Sequence, residues 1–391
     1  MTAVAHAAAV AVAASGAASG AAGVHASERL LFFTLLQLVI IVLAARAGGA
    51  LARRVGQTVA AGEIITGILL GPSLFGALAP DTFTLVFRST PAAPLTILSQ
   101  VGLLLLMFQI GLEFDFGHLA ERRHRKAVFW VSVAGLLAPF GLGALFALGV
   151  PEALAGTPNH MGFVLFVATA FSITALPILG RIMIEFGITR TPLGVIAISA
   201  AAVNDVVGWL LLALVTALST AAFAPAEFGL RVAGVLGFGA LCWWGLRPLL
   251  TALVRRMLRP GSAEPIPPAL MGIVIAVVFA AGMCTYQLGI FAIFGGFMAG
   301  VLLHAETGFV RAWNERVGGF VNVFFLPIFF TYTGLRTDIG SLGSAQALAW
   351  CLLLIALATL GKFGGCWLAA RWAGLDGLHV PAGQRAFAAL V

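Results

Sequence analysis

Charge is what this chain of 391 residues has least of: Asp, Glu, Lys and Arg together make up 9% of it. A soluble domain of that length could not cover its surface with so few polar groups. With 61% hydrophobic residues and a mean hydropathy of +1.05, the expected fold class is an all-α polytopic membrane protein embedded in a lipid bilayer. Lysine is nearly absent; Lys126 and Lys362 are the two, and every other base is Arg. Cysteine is also sparse: Cys242, Cys284, Cys351 and Cys366 lie in or beside apolar runs without metal-ligand spacing, and read as small buried hydrophobes. No nucleophile–base pair, zinc spacing or nucleotide loop is found, so neither an enzyme nor a cofactor is expected. The net charge of +7 sits in short clusters between apolar runs, a pattern of membrane orientation rather than of nucleic-acid binding.

Residues 1–28 are rich in Ala and Gly and carry no Lys or Arg, a poor signal peptide and better read as a tail or a weak extra helix. From 29 to 391 the sequence reads as one transmembrane domain. Its apolar segments fall at about 30–46, 58–76, 94–113, 127–149, 161–184, 192–219, 229–254, 268–286, 288–304, 318–335 and 345–370, giving about eleven complete helices. A twelfth starts near Pro381 and reaches Val391 after about ten residues, so the gene product is expected to continue. Alternating these segments with the N-terminus outside leaves only Arg29, Arg88, Arg231 and Arg336 on the outer side. The other loop bases, from Arg46 to Arg385, fall in the cytoplasm, as the positive-inside rule requires.

Against this apolar background two ionisable residues stand out. Asp205 is the one ionisable group between about Pro192 and Leu218, with the amide of Asn204 beside it. A charge at that depth costs several kcal/mol and persists where something binds or neutralises it. Burial favours its neutral form and a bound cation its ionised form, so the site holds a proton or a cation, not both. The alternative is a carboxylate paired with Lys362 merely to hold two helices together. Lys362 itself interrupts the run from about 345 to 370. It reads as a proton carrier, a partner for Asn204–Asp205, a fixed countercharge for helix ends, or a snorkelling lysine.

The stretch from Thr169 to Gly180 contains the hydroxyls of Thr169, Ser172 and Thr174, then Pro177 and Gly180. Proline removes one helix hydrogen bond and clashes with the preceding turn. With Gly180 it either breaks the helix at mid-membrane, exposing carbonyls and helix ends that coordinate ions, or makes an ordinary kink. Other features are less specific. Gly62–Ser73 is glycine-rich, with Glu63 near one end, and suits packing or a dimer contact. Gln109 and Glu113 share a helix face, while Asn322 and Thr331–Thr333 read equally as cavity lining or packing.

Gly62–Ser73, Val101–Asp115, Thr169–Ile182, Ser199–Trp209, Gly289–Leu303, Leu326–Asp338 and Gly361–Gly365 together resemble, in order, the monovalent cation/proton antiporter family. That family includes Kef-type potassium efflux systems, bacterial Na+/H+ antiporters and plant cation/H+ exchangers; the run Ala200–Asp205 is most similar to the plant and fungal branch. The resemblance implies an inverted-repeat antiporter fold, with a dimerisation domain and a core domain containing crossing, discontinuous helices. Thr169–Gly180 would be the first of these and its repeat-mate would start near Ala386. It further implies that Asp205 is the carboxylate shared by a transported monovalent cation and H+, Asn204 its polar neighbour and Lys362 the core lysine. Thr169, Ser172 and Thr174 would belong to the same cation/proton site. Some relatives carry two acids where this chain has Asn204–Asp205, so fewer protons per cycle are expected. The reading that follows is a homodimeric secondary antiporter exchanging K+ or Na+ for H+ across the bacterial inner membrane. The competing readings are a gated K+ efflux channel and a sodium-coupled organic-solute symporter on the same architecture.

Overall fold

The computed structural model describes residues 2–114, 121–150, 160–219, 225–258 and 267–374. All regular structure among them is helical. Apolar runs leave little choice, because hydrocarbon offers the backbone no hydrogen-bond partner and each N–H and C=O must find one in its own helix. Hydroxyls inside these runs solve the same problem locally. Thr34, Thr66, Ser132, Thr169, Ser199 and Thr216 each donate to the carbonyl four residues back.

The principal helices are α1 (Thr2–Arg54), α2 (Val59–Leu70), α3 (Ala93–Leu112), α4 (Arg122–Leu148), α5 (His160–Ser172), α6 (Leu176–Glu185) and α7 (Pro192–Ser219). They are followed by α8 (Pro225–Ala240), α9 (Arg247–Met257), α10 (Pro268–Gln287), α11 (Ala292–Leu303), α12 (Thr307–Trp313), α13 (Leu326–Leu335) and α14 (Ala345–Trp372). The backbone of the Ala-rich N-terminal stretch is helical from Thr2, and the portion apolar enough to cross a membrane is His25–Arg54.

Among the described residues nine helices are long and apolar enough to span, or ten if a bent pair counts as one. Nine of the eleven apolar segments thus correspond to spans. The segment at 288–304 does not, because the turn at Gly289, with φ +79°, uses its first residues. What remains is the 12-residue α11, about 18 Å long against a hydrocarbon core of roughly 30 Å. The segment at 318–335 is the second limb of the bent pair, Thr307–Gly318 with Val321–Leu335. The expected twelfth segment and the repeat-mate near Ala386 lie outside the described residues.

The chain divides into two compact units. The first comprises Met1–Val101 with Phe324–Ser341. Here α1, α2 and α13 meet backbone to backbone: a Cβ on Gly62 would collide with the Gly48 carbonyl, one on Gly67 with that of Thr331, and one on Gly334 with that of Ile64. Small residues of this kind let helices pack closely where lipid supplies no hydrophobic drive. Ile41, Phe83, Val86, Leu95, Ile328 and Tyr332 form its core. Four of its polar side chains are tied to main chain or to one another, while the Thr90 hydroxyl is buried with no hydrogen-bond partner among the described residues. Gln37 donates to the Val86 carbonyl at 2.6 Å, Thr331 to the Glu63 carbonyl at 3.2 Å, and Thr96 shares a 2.8 Å bond with the Tyr332 hydroxyl.

The second unit comprises Gly102–Val323 with Leu342–Val391. Its centre is the second half of α3, with Leu106, Met107, Phe108 and Ile110 fully buried. Gly111 and Gly300 bring α3 and α11 into backbone contact. On its other side α4 carries α14, because Gly361 and Gly365 leave room for Pro139 and Ala134; Gly143 lets α5 approach α4. These glycines deliver the broken segment and the lysine helix to the same neighbourhood.

Candidate functional site

The helix that begins at His160 stops at Ser172. Ile173, Thr174 and Ala175 are not helical, and α6 starts afresh at Leu176 with Pro177 in its first turn. Proline is favoured there because the first N–H groups of a helix have no internal partner to lose. The interruption therefore belongs to Ile173, Thr174 and Ala175, with Pro177 in the first turn that follows. Gly180, grouped with the break on sequence grounds, is helical and buried, and a Cβ on it would strike Ile110, so its smallness serves packing.

A broken helix presents two ends of opposite polarity: orphan carbonyls with partial negative charge where α5 stops, and orphan N–H groups with partial positive charge where α6 starts. The charged side chains match them. Asp205 on α7 is 3% exposed, and its Oδ2 accepts a hydrogen bond from the Leu176 N–H at 3.3 Å. Lys362 on α14 donates from Nζ to the Ser172 carbonyl at 2.5 Å. The acid thus caps the positive end and the base the negative end. The direct ion pairs among the described residues do not include Asp205 with Lys362: each is bonded to one end of the break, and the two act on each other through space.

The remaining predicted site residues separate into committed and uncommitted groups. Thr169 and Ser172 are fully buried, but their hydroxyls already donate to the carbonyls of Leu165 and Thr169, at 2.7 and 2.8 Å. Thr174 lies within the break, and its Oγ1 is buried with no hydrogen-bond partner among the described residues. Asn204 is 5% exposed and its amide faces α4, where a Cβ on Gly135 would lie 3.3 Å from Nδ2 and 3.1 Å from the Cys366 Sγ. A cavity of about 630 Å³ lies between α5 and α14, with Ile173, Thr359, Lys362 and Cys366 in its wall. A buried carboxylate, an uncommitted hydroxyl and the carbonyls of the non-helical residues Ile173 and Thr174 are hard oxygen donors, the kind of set a weakly held alkali cation requires.

Sequence reasoning missed two polar contacts of the second unit. Arg181, assigned to a cytoplasmic loop, is a buried residue of α6 that donates from Nη1 to the Asn322 Oδ1 at 2.7 Å. Its position four residues beyond Pro177 was the available signal. Just past the end of α3, Glu113 accepts a 3.0 Å hydrogen bond from Thr189. Burial pushes its carboxyl above the ordinary value of 4.5, opposed by the Thr189 bond, the Arg190 charge and a contact from Asn314. Of the residues at 331–333, Thr331 and Tyr332 pack within the first unit, and Thr333 bonds its own helix.

A family model described as sodium/hydrogen exchanger, transmembrane, matches residues 38–391. The chain belongs to that family. Among curated relatives, it is 33% identical over 349 residues to the Na+/H+ antiporter NhaS4 of Synechocystis sp., covering 88% of this chain and 83% of the relative. It is 35% identical to cation/H+ antiporter 18 of Arabidopsis thaliana over 85% of this chain, and 29% identical to K+/H+ antiporter 1 of Saccharomyces cerevisiae over 80%. The chain spans only 40% and 36% of the length of those two. Among solved structures, it superposes on the sodium proton antiporter MjNhaP1 of Methanocaldococcus jannaschii with a TM-score of 0.55 and 13% identity, covering 90% of this chain and 80% of that one. The fold is accordingly the all-helical, multi-pass antiporter fold that the exchanger family shares.

Proposed function

We propose that this exchanger-family chain is a secondary antiporter that trades a monovalent cation, K+ or Na+, for H+ by alternating access. The observation carrying the proposal is the pair of opposite charges on the two ends of one broken helix, with the uncommitted Thr174 hydroxyl between them. Asp205 is assigned as the carboxylate that binds either a proton or the transported cation. With the cation bound, the ionised carboxylate, Thr174 Oγ1 and the carbonyls of Ile173 and Thr174 supply oxygens, the Ala175 carbonyl being taken by the Ile178 and Leu179 N–H groups. With the proton bound, the carboxyl is neutral and the cation leaves. Either state carries less uncompensated charge than an empty ionised site, which gives a reason for the empty form to resist crossing the membrane.

Lys362 is assigned as the cap that keeps the α5 end neutralised while Asp205 changes charge, and Asn204 as the polar neighbour against α4. Thr169 and Ser172 shape the α5 end through their main-chain bonds rather than ligate the ion. A single carboxylate in the Asn204–Asp205 pair favours one proton per cation and electroneutral exchange. The second unit is assigned as the moving core and the first as the dimerisation domain of a homodimer in the bacterial inner membrane, with the N-terminus outside. The role is transport without chemical conversion of a substrate.

A channel needs a continuous pore and a symporter needs no titrating acid, so the proton-or-cation choice at Asp205 supports neither. The test is everted vesicles carrying the intact gene product with K+, Na+ or Li+ added in turn. Collapse of a preformed pH gradient by one of them, with saturation, is expected and names the substrate. Cation flux without proton movement would overturn the proposal.

A further inference from the structure

The first turn of α4 carries Arg122, Arg123, His124, Arg125 and Lys126 in succession, behind an exposed Glu121 at its N-cap. Cations at a helix N-terminus oppose the dipole, so this arrangement is not explained by helix stability. The four Arg and Lys side chains are exposed, and Glu121 approaches only the buried His124, at 3.7 Å. No ion pair among the described residues engages Arg122, Arg125, Lys126 or Arg371. Arg122, Arg125 and Lys126 stand at i, i+3 and i+4, on one helix face, and Phe129 and Trp130 continue that face one turn deeper.

The end of α14 meets this face. Trp130 packs edge-on to Trp372 with ring centres 6.3 Å apart, and Trp372 remains 72% exposed. Arg371 lies over the Trp367 ring at 5.0 Å, Arg123 donates to the Gly374 carbonyl, and Ala127 packs with Ala373 and Ile196. Trp130 lies one turn inward of Lys126 on α4 and Trp367 one turn inward of Arg371 on α14, with Trp372 beside Arg371 at the helix end. This order matches a bilayer leaflet with phosphate outermost and the ring-favouring interface beneath.

We propose that the start of α4 and the end of α14 form a docking surface for the headgroup of an anionic phospholipid. Arg122, Arg125, Lys126 and Arg371 supply the charge, and the Trp130–Trp372 pair sets the depth. A free phosphate would need the cations but not the exposed rings, which is why a lipid is the occupant assigned. The surface is independent of the cation-exchange reading.

The test is native mass spectrometry of the intact protein extracted from phosphatidylcholine vesicles with and without phosphatidylglycerol. The wild type is expected to retain phosphatidylglycerol in preference to phosphatidylcholine. The triple variant Arg122→Gln, Arg125→Gln, Lys126→Gln should lose that preference by about tenfold or more, since each basic group near an anionic surface contributes roughly a factor of five. An unchanged preference would make the cluster an orientation signal only and sink the proposal, as would displacement of the lipid by inorganic phosphate. Should the triple variant not fold, photo-crosslinking of wild type with a photoactivatable phosphatidylglycerol decides. Adducts within 122–130 and 367–374 support the surface, and adducts confined elsewhere overturn it.

Discussion

The two units use their buried hydrogen-bonding side chains differently. In the first, Gln37, Thr96, Thr331 and Tyr332 each spend their hydrogen-bonding capacity on a neighbour in the same unit, and glycines stitch α1, α2 and α13 together at backbone distance. In the second, a helix is interrupted, its two ends are capped by side chains from α7 and α14, and one hydroxyl in the gap is left without a protein partner. The first unit is thus a scaffold in which these four polar groups are satisfied by close neighbours, and the second holds a site in which charged side chains cap a helix break. The difference lies in what the polar groups are set against, ordinary packed helices in one unit and the two ends of an interrupted helix in the other.

That contrast can be broken or sharpened in four ways. Lys362→Met should give the largest effect, because it strips the cap from the Ser172 carbonyl. Exchange in everted vesicles is expected to fall about ten- to hundredfold, the equivalent of one charged hydrogen bond at roughly 1.5–3 kcal/mol, with helix content by circular dichroism unchanged. Gly67→Val tests the scaffold instead. Overpacking against the Thr331 backbone should cost at least about 1–3 kcal/mol, read as a lowered melting temperature in detergent, and a neutral result would mean the helices are not stitched there.

Thr174→Ala and Thr169→Ala form a matched pair. Losing the uncommitted hydroxyl should weaken apparent cation affinity roughly tenfold, the share of one neutral oxygen ligand, and Thr174→Ser should restore it. Losing the back-bonded hydroxyl of Thr169 should leave affinity unaltered. Equal effects would erase the distinction between committed and uncommitted groups. The smallest effect concerns Glu113, outside both the break and the scaffold. Its neutral form is favoured in the fold, so the folded chain keeps a proton that the unfolded chain has released over the interval between 4.5 and the raised value. Stability should therefore decline as pH rises through that interval and level off above it. Glu113→Gln should flatten this dependence in thermal melts taken across acidic pH; an unchanged slope would place its origin elsewhere.

How far the sequence could be read depended on distance along the chain. Spans were legible because an apolar run of about 20 residues has few other fates, and Asp205 and Lys362 because an ionisable group in such a run needs a reason to be there. Pro177 announced the interruption. Gly180 misled, since a glycine four residues into a helix looks the same whether it weakens the helix or admits Ile110. The segment at 288–304 read as a span because hydropathy counts residues, not the turn at Gly289 that shortens α11. The pairings that define the site were not legible at all. Leu176 with Asp205 spans 29 residues and Ser172 with Lys362 spans 190; the first goes with the close approach of Gly208 to Ile173 and the second with the packing at Gly361, Gly365 and Gly143, none of which a local pattern encodes.

The most direct test of a single carboxylate shared by proton and cation is proton release from the purified intact protein, followed in weakly buffered detergent solution as K+ or Na+ is added. The account predicts that the transported cation displaces a proton saturably in the wild type and displaces none in Asp205→Asn. Undiminished release from Asp205→Asn would contradict it and move the exchange site away from the broken helix.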